Sequence, residues 1–485
     1  MKYSKLINRS IILLLNVTFL PLAAWCTESL PHPDTYVPDA DEVYKLKKVT
    51  DDPTDLIATY PLKSAVPAEI YNLMTFSVEE AKRKTAEILG FKSPDLGGKI
   101  APEIRPGKYT YQDLKEYPGL KELFPPEILL HIKPGGPPLV ASMPEFEIIP
   151  TRQLYWFLRL CEITKQNLGK TELDKDGYIV PLSWQGGYPF PRPSGKFKAQ
   201  QVYYNFEKRI GTFDMCFVSK NESMSFDKNL AMDDYNQTAN YKIKFMGRTL
   251  FPPYGWFDEK AKSNGKFRSF FNVILFPREM SGTVLLSHKY DDPDKMDPWM
   301  VYVPSLRRIR KMNPTDTQDP AGDMAYDDMF SFTQKITPKR YPYKFEIIAE
   351  REYLMPIEYN RTKAWIDSKE GYALRDAQFM RRPCYVLQMT QLDPNYIYSK
   401  RIFYIDKENF MPTLCANYDQ RGRLYRTQIR SRIFMPDTAQ IILWGTHTRQ
   451  FDHIDLHSTF QMPIPFPASL ERKDFTIEHM IRRGK

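Results

Sequence analysis

From about Lys198 onward, apolar and polar residues alternate with a period of two, and clusters rich in Asp, Asn and Gly interrupt the alternation at close intervals. Asp393-Pro-Asn395, Asp406-Lys-Glu-Asn409 and Asp419-Gln-Arg-Gly422 are too short to carry a crossover, so the segments they join must be neighbouring antiparallel strands. Expected strands include Gln200–Phe206, Thr212–Ser219, Arg268–Phe276, Trp299–Val303, Leu306–Lys311, Arg423–Phe434 and Phe451–Phe460. Within Arg423–Phe434, Tyr425, Ile429 and Ile433 mark a dry face, and Arg426, Arg430 and Arg432 a wet one. A dozen such strands accumulate twist and curl. The pattern predicts a mainly β fold with α: a large curved antiparallel sheet, with helices covering or plugging its concave face. With 40 Pro against 22 Gly, the composition fits strands joined by Pro-marked turns and disfavours a helical bundle.

The chain opens like a secretory leader, residues 1–26: Lys2, Lys5 and Arg9, then an apolar run from Ile11 to Ala24 ending in small residues. This predicts export to the periplasm. Cys26 offers a second route, attachment as an outer-membrane lipoprotein, which the bulky Trp25 before it disfavours. Loss of the three leader cations takes the net charge from +9 to +6, too mild and too interleaved for a nucleic-acid binder. Residues 27–67 read as an extended Pro-rich arm and 68–197 as a helical and irregular region. Two helices stand out there. One follows the capping box Ser77-Val78-Glu79-Glu80 and stops at Gly90; the other carries Leu154, Phe157, Leu158, Cys161 and Leu168. Residues 198–485 make the β domain. Cys161, Cys216, Cys384 and Cys415 form no CxxC and read as buried thiols or one structural disulfide.

Trp184-Gln-Gly-Gly-Tyr-Pro-Phe-Pro-Arg-Pro-Ser-Gly195, followed by Tyr204-Asn205, resembles the signature of an uncharacterised proteobacterial periplasmic family similar to outer-membrane lipoprotein-sorting proteins. Trp299-Met-Val-Tyr-Val-Pro304 with Arg307-Arg-Ile-Arg310, then Gly322-Asp-Met-Ala-Tyr-Asp-Asp328, look like a pattern of that wider group. The resemblance implies a LolA/LolB-like incomplete barrel whose cavity holds lipid chains, and partnership with an RND-type transporter and an outer-membrane channel protein. The chain is more than twice as long as a simple lipoprotein carrier, so residues 27–197 fall outside what that fold explains.

Candidate sites follow. Arg307, Arg308, Arg310 and Lys311 could grip a headgroup or a partner at the rim, or pair with Asp319, Asp323, Asp327 and Asp328. If Ile309 faces the core, alternation turns Arg308 and Arg310 away from it. Gly186, Gly187, Tyr188, Pro189, Phe190 and Pro191 suit a segment that plugs the end of the barrel. His453, Asp455 and His457 share one side if they lie on a strand, which makes them weak metal candidates beside His447 and Asp452. No nucleophile elbow, P-loop or HExxH occurs, and no cofactor is called for. The expected role is a periplasmic carrier of a lipid-like ligand, for which peripheral membrane contact is compatible. The alternatives are a metal-dependent hydrolase and a ligand-free structural adaptor.

Overall fold

The computed structural model describes residues 68–312, 320–321, 324–325, 342–359, 364–443, 448–468 and 470–484. The leader and the Pro-rich arm, the acidic residues Asp319, Asp323, Asp327 and Asp328, and His447 lie outside these.

One sheet organises the molecule. Its first eight strands are β1 (Gly107–Thr110), β2 (Glu145–Ile149), β3 (Phe217–Phe226), β4 (Met232–Lys244), β5 (Lys266–Phe276), β6 (Val284–Tyr290), β7 (Trp299–Val303) and β8 (Arg308–Met312). Then come β9 (Tyr343–Met355), β10 (Gln378–Gln391), β11 (Lys400–Asp406), β12 (Pro412–Tyr418), β13 (Leu424–Arg430), β14 (Thr448–Asp452) and β15 (His457–Pro467). Across the sheet the order is β1-β2-β10-β11-β12-β13-β14-β15-β3-β4-β5-β6-β7-β8, with β9 also paired to β10. Only β2 and β10 run parallel within it. The path does not return on itself, so the sheet stays open.

Residues directly opposite in an antiparallel ladder point to the same face. The register therefore sorts the side chains. Tyr404, Leu414, Ile429, Phe451, Tyr241, Phe271 and Leu286 share one face, called here the back. Phe403, Cys415, Gln428, Gln450, Lys242, Phe270 and Ser287 share the front.

Two covers lie on the back. Over β11–β15 lies the segment around residues 120–143, where Tyr404 and Tyr418 donate to the buried Glu127 carboxylate at 3.1 and 3.2 Å. His131 stacks on Phe451 with ring centres 3.9 Å apart, and Val140 N–H donates to Ser458. Over β4–β7 lies the C-terminal helix, which fills a separate apolar cluster containing Tyr241, Phe271, Leu286, Met300, Phe475 and Met480. On the front sits the helix Lys198–Glu207, with Tyr203 against Phe345 and Phe206 against Phe403. Helical and irregular cover thus lies on both faces of the sheet.

The helices follow their sequence signals. Helix α1 (Val78–Leu89) begins where Ser77 Oγ accepts from Glu80 N–H and ends at Gly90 in the left-handed region, φ 85°. Helix α2 (Leu158–Gln166) starts only at Leu158, because side chains hold the preceding backbone extended: Glu408 accepts from Leu154 N–H at 2.7 Å and Thr85 Oγ1 from Trp156 N–H at 2.9 Å. Glu408 also meets Arg382 at 2.7 Å, in a fully buried group with Asp406. Helix α3 (Lys198–Glu207) replaces the strand expected over Gln200–Phe206. Val202, Tyr204 and Phe206 alternate, but Ala199, Val202, Tyr203 and Phe206 also stand at i, i+3, i+4 and i+7, and as a helix the segment buries both sets, with Tyr203 and Tyr204 alike enclosed. Helix α4 spans Ile477–Arg483. Thr212–Met215, expected within a strand, forms a 3-10 turn in which Asp214 accepts from Thr249 and Lys244. All four described cysteines are buried free thiols.

Candidate functional site

The front of the sheet divides in two. At the β9–β12 end α3 packs on Phe345 and Phe403. Toward β3–β7 the front turns polar: Thr448, Gln461, Ser223 and Asn236 follow Arg430 across one row of the ladder. Lys242 lies opposite Phe217 and Phe270, and Arg268 opposite Lys244 and Lys289. Along β5 every back-face residue from Phe267 to Val273 is buried while the front-face residues keep partial exposure.

Five cations converge there from separate elements. Lys242 comes from β4, Arg268 from β5, Arg430 from the end of β13 and Arg432 from the short strand Arg432–Met435 that follows. Arg209 comes from the turn after α3, where its guanidinium donates to Phe206 O and lies over the Phe206 ring. Burial pushes Lys242 down to about 7, and the charges of Arg268, Arg430, Arg209 and Arg432 add to the push. Burial likewise lowers Arg430 to about 9, and it holds Arg209 and Arg432 well below the usual range, where Arg430 and other cations of the group add to the push. Arg268 is lowered by burial, which Glu207 and Asp297 partly offset. Lys242, Arg268 and Arg430 are enclosed by protein yet keep accessible surface, so open space adjoins them.

The flanking cations differ. Lys208 meets Asp291 at 2.6 Å, Lys244 meets Asp214 at 2.6 Å, and Lys289 meets Glu207 at 3.5 Å. Among the described residues no carboxylate lies within ion-pair distance of Lys242 or Arg432. The Lys242 ammonium instead lies 5.4 Å from the Phe217 ring centre and 5.3 Å from that of Phe270. Arg432, 3% exposed, gives one long hydrogen bond to Pro412 O, and among the described residues its Nε has no partner.

The residues singled out in the sequence do not form one site. Arg307 occupies a left-handed turn at φ 45°, and Arg308 and Arg310 are exposed on β8. Ile309 does pack inward, but against the cluster on the back; Arg308 and Arg310 therefore face the front without any bend or bulge. Lys311 points to the back and is exposed.

Tyr188 is buried, donates to Asn409 O at 2.6 Å, and stacks with Trp156 and Phe410 at the β11–β12 turn. Asn205 of α3 brackets Phe190 with hydrogen bonds to its N–H and C=O. Gly186, Gly187, Pro189 and Pro191 are buried around them. This motif ties α2, α3 and the β11–β12 turn together.

His453 and Asp455 lie in the turn between β14 and β15, which replaces the single strand expected over Phe451–Phe460. Asp452 causes it by accepting from Ile454 and Asp455 N–H. His453 then pairs with Thr427 and His457 with Asp233, while Asp455 is exposed. Among the described residues no group of three or more His, Cys, Asp or Glu is placed to hold a metal. Arg430 and Arg432, read as a wet face, are enclosed, and Arg209, Lys242 and Arg268 escaped notice. Their alternation is visible in the sequence, but which face becomes enclosed depends on remote segments.

The molecule is a mainly β protein built on one open sheet, with two covers on its back and a part-open, cation-lined front. The chain belongs to the family described as "Protein of unknown function (DUF1329)", which it matches over residues 131–472. No curated protein matches it in sequence. Among solved structures it is similar to a Vibrio parahaemolyticus domain described as outer membrane lipoprotein-sorting, with 16% identity, 59% of this chain and 97% of that one covered, and a TM-score of 0.38. A DUF1329 family protein from Desulfovibrio piger shows 14% identity, coverage of 55% and 93%, and a TM-score of 0.36. A LolA superfamily protein from Nitrosomonas europaea shows 15%, 58% and 98%, and 0.34. No helix among the described residues is long and apolar enough to cross a membrane.

Proposed function

We propose that this protein is a periplasmic binding or carrier protein that holds a lipid-like ligand on the front of its sheet and passes it to an envelope transport system of the RND type. One observation carries the reading. Ile274 on β5, Leu285 on β6 and Val301 on β7 lie together on the front, half-buried, and belong to neither apolar core. Burying such a side chain fully against a ligand stabilises the complex by about 1.5–3 kcal/mol. Cations beside this apolar stripe suit an amphiphile better than a wholly apolar chain. Arg308 and Arg310, exposed on the front of the last strand, are placed to meet a headgroup or a docking partner at the rim.

The test is native mass spectrometry of the exported protein for co-purified lipid, with titration of a fluorescent fatty acid. Leu285→Asp with Val301→Asp should weaken probe binding at least tenfold and leave the circular dichroism spectrum unchanged, since neither residue supports a core. A ligand-free protein that ignores the probe would overturn the reading.

A further inference from the structure

We propose that the space bounded by Arg209, Lys242, Arg268, Arg430 and Arg432 is an anion site for a phosphate-type group carrying two or more negative charges. Like charges about 8 Å apart repel by roughly 2 kcal/mol at an effective dielectric constant of ~20. Gathering five cations therefore costs stability unless something offsets it. The fold supplies carboxylates to the neighbouring Lys208, Lys244 and Lys289, yet among the described residues it places none beside Lys242 or Arg432. The buried Arg432 Nε is a donor without an acceptor among the described residues, which folded proteins rarely tolerate. Phe217 and Phe270 frame the Lys242 ammonium, and Lys242 keeps part of its surface accessible.

Several guanidinium forks with one ammonium suit a phosphate, which accepts through three oxygens, better than a single carboxylate. Ser219 and Asn240 follow Phe217 and Lys242 in the adjacent row of the same face and add polar capacity. Phe270 shares its face with Leu285 and Ile274, so a phosphate held here has an apolar stripe at its side. The phosphate chemistry has two sources, a lipid headgroup or free phosphate. Only the first rests on the carrier reading.

The experiment titrates the full exported chain with dioctanoyl phosphatidic acid, dioctanoylglycerol and pyrophosphate. Phosphatidic acid should bind at least tenfold more tightly than dioctanoylglycerol, and pyrophosphate should compete with it. Lys242→Met and Arg432→Met should each cut that preference at least fivefold and leave dioctanoylglycerol affinity within twofold. On the unaltered protein, raising salt from about 50 to about 500 mM should weaken phosphatidic acid binding at least tenfold without affecting dioctanoylglycerol, which keeps the test alive if a variant misfolds. Equal binding of both amphiphiles with no response to pyrophosphate would overturn the anion site and leave the carrier reading standing. Stabilisation by pyrophosphate that Lys242→Met abolishes, with neither amphiphile bound, would keep the site as one for free phosphate and end the carrier reading. No response to any of the three would overturn both.

Discussion

Lys242 shows how an interior charge can reveal a task other than stability. Arg268, Arg430, Arg209 and Arg432 face it as cations, the rings of Phe217 and Phe270 border it, and burial holds its ammonium at about 7. In the unfolded chain a lysine titrates near ~10.4. The unfolded state therefore binds more protons between about pH 7 and 10, and native stability rises with pH across that window. Below pH 7 the whole cost of the buried charge is present. Lys242→Met should accordingly stabilise the ligand-free protein by roughly 1–3 kcal/mol at pH 6, and the gain should narrow at pH 9. Urea unfolding at the two pH values checks this, and a variant less stable at pH 6 would show that the charge has a structural partner. A bound anion favours the ammonium, so phosphatidic acid affinity should fall as pH rises above 7, with proton uptake on binding.

Among the elements, the 184–191 segment is the joint that most depends on residue identity. Gly187 has φ 75°, and a Cβ there would lie 2.5 Å from Thr164 Oγ1 and 2.7 Å from Thr164 Cα on α2. Because the nearest atoms include backbone, relief requires α2 to move, and with it Tyr188 at the β11–β12 turn. Gly187→Ala should cost about 3 kcal/mol or more and lower the melting temperature by several degrees. A fall under one degree would mean that α2 and the segment are not locked together. Elements with a local cause were legible in the sequence: α1 through its Ser77 cap and Gly90 stop, and β7 and β11–β12 through alternation and short turns. Those that failed had two different causes, one remote and one local. Helix α3 satisfies both periods in its sequence, and burial against β9 and β11 chose the helical one. The break after Phe451 came from the Asp452 side chain capping a turn, a signal that alternation on either side conceals.

At the scale of the whole molecule, alternation told that the sheet has two unlike faces, but not what would cover each. Ile309 was expected to face a core and does, in the cluster on the back, with Arg308 and Arg310 on the opposite face as alternation places them. The buried apolar residues fall into two separate clusters, a large one that spans both faces of the sheet and a smaller one on the back of β4–β7. The second depends on the last residues of the chain. Met480 is fully buried, His479 packs its ring 5.1 Å from that of Phe271, and Arg483 donates to Tyr241 at 2.9 Å. Loss of Met480 alone removes about 2–5 kcal/mol of packing. Deleting residues 477–485 should therefore expose Phe271, Leu286 and Met300 and raise hydrogen exchange in β5 and β6, while β10–β12, under the other cover, stay protected. Peptide-resolved exchange mass spectrometry reads this directly. Equal loss of protection across the sheet would show that the two clusters unfold as one cooperative unit, whereas confined loss would mean that the apolar stripe can be loosened while the far half of the sheet holds.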